Sequence, residues 1–125
     1  MKKRTESIDL PYPPTVNKAY RAWKGRIIKS LEARNYEKKV HDHLMMNRID
    51  TFKSDRLRIT IRVFMPDNRK RDLANLDKIL IDSLESGGLF EDDEQIDDIR
   101  FIRVGVCKPG RVKVTIENLP EKKND

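Results

Sequence analysis

Arg69-Lys70-Arg71-Asp72-Leu73-Ala74-Asn75-Leu76-Asp77-Lys78 opens an apolar run that continues to Leu84, and Gly87-Gly88-Leu89-Phe90-Glu91-Asp92-Asp93-Glu94-Gln95 closes it. Leu73, Leu76, Leu80 and Leu84 recur at helical spacing with Ile79 and Ile81 beside them, so the pattern predicts a helix from about Leu73 to Ser86. At about 100° per residue these side chains span roughly 200° of the circumference, more than one buried face needs. The helix is therefore expected to touch the sheet and a second surface, and Ile79 with Ile81 offers a candidate subunit interface. Ala74, Asn75, Lys78 and Asp82 hold the remaining arc, a polar strip that begins at Asp72. Gly87-Gly88 ends the helix, and Leu89-Phe90 re-anchors the chain before the acidic run Glu91 to Glu94.

Upstream, Arg56 to Met65 alternates Leu57, Ile59, Ile61 and Val63 with Arg56, Arg58, Thr60 and Arg62, the pattern of a strand with one dry and one wet face. Pro66-Asp67-Asn68 turns the chain and delivers Arg69-Lys70-Arg71 and Asp72 to the end of the sheet. Downstream, Ile96 to Val106 reads as a long strand with an irregularity near Asp97-Asp98, Lys108 to Arg111 as a turn, and Val112, Val114 and Ile116 as the closing strand of a hairpin. Cys107 fits as a small apolar filler in a strand.

The N-terminal third supplies cover. Ser7 to Leu10 alternates as a strand, and Pro11, Pro13 and Pro14 stop it by removing ladder donors and fixing an extended path. Asn17, Tyr20, Arg21, Trp23, Lys24 and Arg26 mix aromatic with basic side chains, which suits either stacking on bases or closing the edge of a small core. Ile27-Ile28 is a candidate short strand, and Ser30 sits where a cap belongs for an amphipathic helix to about Met46, with Leu31, Tyr36, Val40 and Leu44 inward. The elements add up to a single α+β domain over residues 1–125, a small mixed sheet with two main helices, with residues 1–5 and 120–125 as tails.

The chain of 125 residues is 37% hydrophobic and 38% charged, which predicts a thin core and apolar surface completed by a second subunit. A net charge of +6 favours polyanionic partners, nucleic acid above all, because lysine and arginine that neutralise phosphates release condensed counterions. The lone Cys107 excludes a disulfide framework and a Cys/His zinc site. No apolar segment is long enough to span a bilayer, and Met1-Lys2-Lys3-Arg4 lacks a following signal region, so a soluble cytoplasmic protein is expected.

Phosphodiester hydrolysis needs an activated water, stabilisation of phosphoryl charge and help for the leaving oxygen, and Mg²⁺ on a few carboxylates serves all three. Asp72 and Asp93 flank the helix in sequence and meet only if the loop folds back or a second subunit supplies one of them. On the residues alone the commoner reading is plainer: Asp72 as an N-cap and Glu91 to Glu94 as a solvated turn.

The motifs tip that balance. Leu10-Pro11-Tyr12-Pro13-Pro14 with Asn17, the stretch Arg69 to Lys78, Asp82-Ser83-Leu84 and Phe90-Glu91-Asp92-Asp93-Glu94-Gln95-Ile96 together resemble the RusA family of Holliday junction resolvases over nearly the full length. The resemblance implies a homodimeric α+β endodeoxyribonuclease that binds four-way DNA junctions and makes paired Mg²⁺-dependent nicks, with Mn²⁺ able to substitute, in DNA recombination and repair. It implies Asp72 and Asp93 as catalytic aspartates and metal ligands, with Asp92 beside them, and Lys78 as the catalytic lysine. Arg69, Lys70, Arg71, Asn17, Arg21 and Lys24 are the candidate DNA contacts, and Asn75 and Asp82 support the site, Asp82 by pairing with Lys78 one turn away. One position departs from the pattern. The family's motif is Asp-x-Asp-Asn, and here Ala74 puts a methyl where the second carboxylate belongs. Three readings stay open: a subgroup that holds metal with Asp72, Asp92, Asp93 and Glu91, a catalytically impaired binder of branched DNA, or an engineered inactive form.

Overall fold

The computed structural model describes residues 2–121. Strand β1 (Thr5–Pro11) leads through a short helix α1 (Val16–Ala19) to a hairpin of β2 (Tyr20–Trp23) and β3 (Arg26–Lys29), then to helix α2 (Leu31–Met46). Strand β4 (Arg56–Met65) follows, then a 3₁₀ turn (Leu73–Leu76) running into helix α3 (Asp77–Ser86), a second 3₁₀ turn (Asp93–Gln95), and strands β5 (Ile96–Val106) and β6 (Arg111–Leu119).

The main sheet has the order β1-β6-β4-β5, with β5 parallel to β4 and the other neighbours antiparallel. Its inner rows are apolar, as in Ile8, Val114, Ile61 and Phe101 across the four strands. The alternation read in β4 is confirmed, since Leu57, Ile59, Ile61 and Val63 are fully buried. The outer face is charged and partly self-neutralised: Arg58 bonds Asp98 at 2.8 Å and Glu117 at 3.3 Å along one row.

The expected β5–β6 hairpin does not form. The two strands are joined by a short turn yet lie on opposite sides of β4, so the turn passes over the end of β4, where Pro66 stops the strand and clears the way. Cys107, expected inside a strand, sits exposed in this crossing and donates its backbone N–H to Met65 O at 2.8 Å. Gly110 closes the crossing at φ +91°, and a Cβ there would lie 3.0 Å from Pro66 Cβ and 3.1 Å from its Cα. The predicted irregularity is present: the β4–β5 register skips Asp97 between Leu57/Ile96 and Arg58/Asp98.

Both helices share one core with the sheet. Ser30 caps α2 by accepting from Ala33 N–H at 3.1 Å, and the buried stripe is Ala33, Tyr36, Val40 and Leu44. Leu31, expected inward, is 71% exposed because it is the first helical residue and precedes the stripe by two positions. The Tyr36 hydroxyl donates to Pro11 O at 2.7 Å and anchors the proline loop. Helix α3 buries Ile79, Leu80, Ile81, Ser83 and Leu84, so its wide apolar arc is covered by the sheet and α2 of the same chain rather than by a second subunit.

The first turn of the predicted helix is 3₁₀, which advances about 120° per residue instead of 100°. The polar strip expected to run from Asp72 to Asp82 is therefore broken at Leu76-Asp77. At the N-terminus, Arg4 N–H bonds Asn118 Oδ1 at 2.8 Å and Thr5 opens β1; of the expected tails, Met1 and residues 122–125 lie outside the described residues. No helix among the described residues is long and apolar enough to cross a membrane.

Gly110→Ala combines a left-handed backbone with a clash against Pro66, and the expected loss of stability is on the order of 1–3 kcal/mol, measured by denaturant unfolding.

Candidate active site

Beyond α3 the chain turns at Gly87 and Gly88 and re-enters the core at Leu89 and Phe90, both 2% exposed, which brings the acidic loop back beside the helix. Gln95 then fixes the loop. Its buried carboxamide oxygen accepts from Glu91 and Asp92 N–H at 3.1 and 3.0 Å, and its nitrogen donates to Lys53 O and Asp55 O at 2.8 and 2.7 Å. Asp92 forms a capping box with Gln95 and also accepts from Glu94 N–H at 3.0 Å, and Asp93 N–H donates to Glu85 Oε1 at 2.8 Å.

Carboxylate oxygens of Glu85, Asp92 and Asp93 consequently lie within 4.8 Å of one another. Asp93 also faces a depression of about 410 Å³ with Asp77, Lys78 and Asp82, floored by Ile81, Ile96 and Ile99. On a helix that starts at Asp77, the side chains of Asp77, Glu85, Lys78 and Asp82 fall within an arc of about 140°. Lys78 Nζ is 3.3 Å from Asp82 Oδ2, the pairing expected from their spacing, and the Tyr20 hydroxyl donates to the same oxygen at 2.8 Å.

Crowding of like charge leaves an electrostatic signature. The Asp93 carboxyl is held above the usual aspartate range, first by a hydrogen bond shared with Asp92, then by desolvation and the charges of Asp92 and Asp82, with Lys78 opposing. Asp77 is also raised, by desolvation foremost and then by Asp82 and Asp93. Desolvation and the bond to Asp82 push the Tyr20 phenol well above its usual range, so it remains a donor.

Asp72 is placed elsewhere. It lines a second depression of about 390 Å³ with Tyr12, Thr15, Lys70, Arg71, Asn75 and Leu76, and the two depressions adjoin along the chain at Leu76-Asp77. Its backbone carbonyl accepts from Asn75 N–H at 3.2 Å, while its side chain makes no capping bond. Of the basic triplet, Arg71 is engaged by Asp67 at 2.8 Å, Arg69 reaches Asp67 more loosely at 3.8 Å, and Lys70 is exposed. Asn17 is exposed on α1, and Arg21 and Lys24 are exposed on the β2–β3 hairpin, Lys24 Nζ standing 4.6 Å from the Trp23 ring centroid.

Of the expected site residues, Asp93, Lys78 and Asp82 line one depression with Asp92 beside Asp93, and the structure adds Asp77, Glu85, Gln95 and Tyr20, which were not expected there. Glu85 and Asp77 carried a usable signal, since both share the helical arc of Lys78 once the helix is started at Asp77. Tyr20, distant in sequence, carried none.

An α+β domain with a lysine among converging carboxylates, next to a basic depression, defines the class. The chain matches the family model described as Endodeoxyribonuclease RusA over residues 11–117. It is 43% identical to the crossover junction endodeoxyribonuclease of Enterobacteria phage HK97 over 111 residues, 88% of this chain and 92% of that protein. It is 37% identical to the corresponding protein of Escherichia coli K12 over 115 residues, 92% and 96% of the two chains, and 36% identical to that of Enterobacteria phage 82 over the same shares. The chain belongs to the RusA endodeoxyribonuclease family.

Two outcomes follow from the geometry. Gln95→Met keeps the bulk but strands buried backbone groups, with an expected cost of about 2 kcal/mol or more in denaturant unfolding. A raised carboxyl stabilises the fold while protonated, below the ordinary aspartate value of 3.8, and loses that contribution as pH rises through its higher folded value. Asp77→Asn should therefore raise the melting temperature at neutral pH without divalent cations, and the gain should vanish on acidification.

Proposed function

We propose that this chain is a structure-selective endodeoxyribonuclease that resolves Holliday junctions by paired metal-dependent nicks, serving DNA recombination and repair in the cytoplasm. The observation that carries the reading is the convergence of Asp92, Asp93 and Glu85 beside Asp77, Lys78 and Asp82 in a chain of this family.

The donor set fits a hard divalent cation, since every candidate ligand is a carboxylate oxygen with room beside it for waters and phosphate oxygens. Asp93 and Asp92 would hold it, helped by Glu85 and by Asp77, whose carboxylate stands in the depression where Ala74 offers none. Mg²⁺ is the natural occupant and Mn²⁺ a substitute; when bound, the cation lowers the pKa of water and offsets phosphoryl charge. Lys78 directs its ammonium to a non-bridging phosphate oxygen, with Asp82 limiting its rotamers. Asp72 is the further carboxylate of the catalytic and metal-binding set, offered from the adjoining depression beyond Leu76 and supported by Asn75. Lys70 takes a phosphate there and the exposed Arg69 another beside it, Arg71 stiffens the loop through Asp67, and Asn17, Arg21 and Lys24 track the backbone farther out.

Two symmetric cuts call for two sites, so the active form is a homodimer. With Ile79 and Ile81 buried, the surface that suits a second copy is edge strand β5, where Ile99, Ile102, Val104 and Val106 are 40–49% exposed.

The test is a nicking assay on a four-way junction with Mg²⁺. The natural chain should cut, and Asp93→Asn should cut about 100-fold more slowly or worse while still binding the junction. A silent chain whose Ala74→Asp variant cuts would make it a binder of branched DNA only. Silence of both would remove the proposed chemistry.

A further inference from the structure

Lys78 is held in place by few contacts. Its side chain is 57% exposed, and a lysine stem in water samples many rotamers unless something holds the ammonium. Two groups do so here: Asp82 Oδ2 at 3.3 Å, and the face of the Tyr20 ring, whose centroid is 4.9 Å from Nζ. The Tyr20 hydroxyl donates at 2.8 Å to that same Asp82 oxygen, so one carboxylate oxygen receives both donors and its rotamer is set by the tyrosine. Lys78 and Asp82 line the acidic depression and Tyr20 does not, so any effect of Tyr20 passes through its neighbours.

Tyr20 also belongs to a different element. It is the first residue of β2, paired with Lys29, and the base of this hairpin is pinned to α2: Ser30 N–H donates to Ala19 O at 2.8 Å and Lys29 Nζ lies 2.7 Å from Glu37. The other end is exposed, with Trp23 51% and Ile27 75% accessible and Lys24 over the indole, a surface suited to stacking on bases and meeting phosphates.

We infer that Tyr20 is a positioning residue for cleavage: its hydroxyl holds Asp82, which holds the Lys78 ammonium at the acidic depression, and the tie joins the outward hairpin to the lysine. The inference rests on the nuclease reading, in which Lys78 meets the scissile phosphate. A purely structural Tyr20 would anchor the hairpin and leave Lys78 where it is.

The experiment compares the full chain with Tyr20→Phe, Asp82→Asn, the double variant and Lys78→Met on a four-way junction with Mg²⁺. Single-turnover rate, junction affinity and melting temperature are measured. In parallel, lysines are reductively ¹³C-methylated in Mg²⁺-free protein, and the Lys78 resonance is identified by its loss in Lys78→Met. Tyr20→Phe keeps the ring and loses only the hydroxyl. Its cleavage rate should fall about three- to tenfold at unchanged affinity, with the melting temperature lowered by no more than a few degrees. The Lys78 resonance should shift, and the double variant should be no slower than the slower single one. A rate within about twofold of the natural chain, a loss confined to affinity, an unmoved Lys78 resonance or multiplying effects in the double variant would each overturn the inference. If Tyr20→Phe does not fold, Asp82→Asn with the same readouts decides. Full activity of Lys78→Met would sink the lysine's role and the tie with it, whereas an inactive Lys78→Met beside a normal Tyr20→Phe would sink the tie alone.

Discussion

Four hydrogen bonds to the Gln95 carboxamide set the geometry on which the site depends. Carboxylates held within a few ångströms repel, and a loop as acidic as Glu91 to Glu94 would by itself extend into water. Gln95 opposes this by satisfying two N–H groups of the loop and two carbonyls of the segment before β4, from a position only 4% exposed. Leu89 and Phe90 bury the approach to the loop, and the bond from Asp93 N–H to Glu85 fastens it to the end of α3. The carboxyls of Asp93 and Asp77 are raised, Asp93 first by its hydrogen bond with Asp92 and Asp77 first by desolvation, with the neighbouring carboxylates adding to both.

Positive charge is distributed around this acidic centre in two ways. Part of it is spent inside the protein: Arg71 holds Asp67, and the charges of Arg58 are balanced across the outer sheet, whereas Arg69 stays largely exposed. Asp67 is depressed accordingly, first through its bond to Arg71 and then by the backbone N–H of Arg69, which keeps the loop between β4 and α3 in one conformation. Lys70, Arg21 and Lys24 remain exposed to meet a polyanion. Formal net charge predicts the sign of the partner, but only the pairings reveal which cations remain available.

Local patterns were legible wherever a single element decided them. The alternation of Leu57, Ile59, Ile61 and Val63, the Ser30 cap, the i to i+4 pairing of Lys78 with Asp82 and the skipped residue at Asp97 all stand as read, because each reflects chemistry among near neighbours in the chain. The hairpin reading of β5 and β6 failed because a four-residue connection fits two topologies, and the choice fell to β4, whose two edges both needed partners. The polar strip from Asp72 is interrupted at the buried Leu76, so that Asp72 and Asn75 line one depression and Lys78 and Asp82 the next.

The sequence by itself determined the α+β class, the family and the residue types of the site, since periodicity, caps and motif spacing are properties of the chain alone. Tertiary structure decided which carboxylates share a depression, that Ile79 and Ile81 are buried in the chain's own core, and that Tyr20 reaches Asp82 across 62 positions. Those outcomes depend on how elements stack, and stacking is settled by the burial of many side chains at once, which no local stretch encodes.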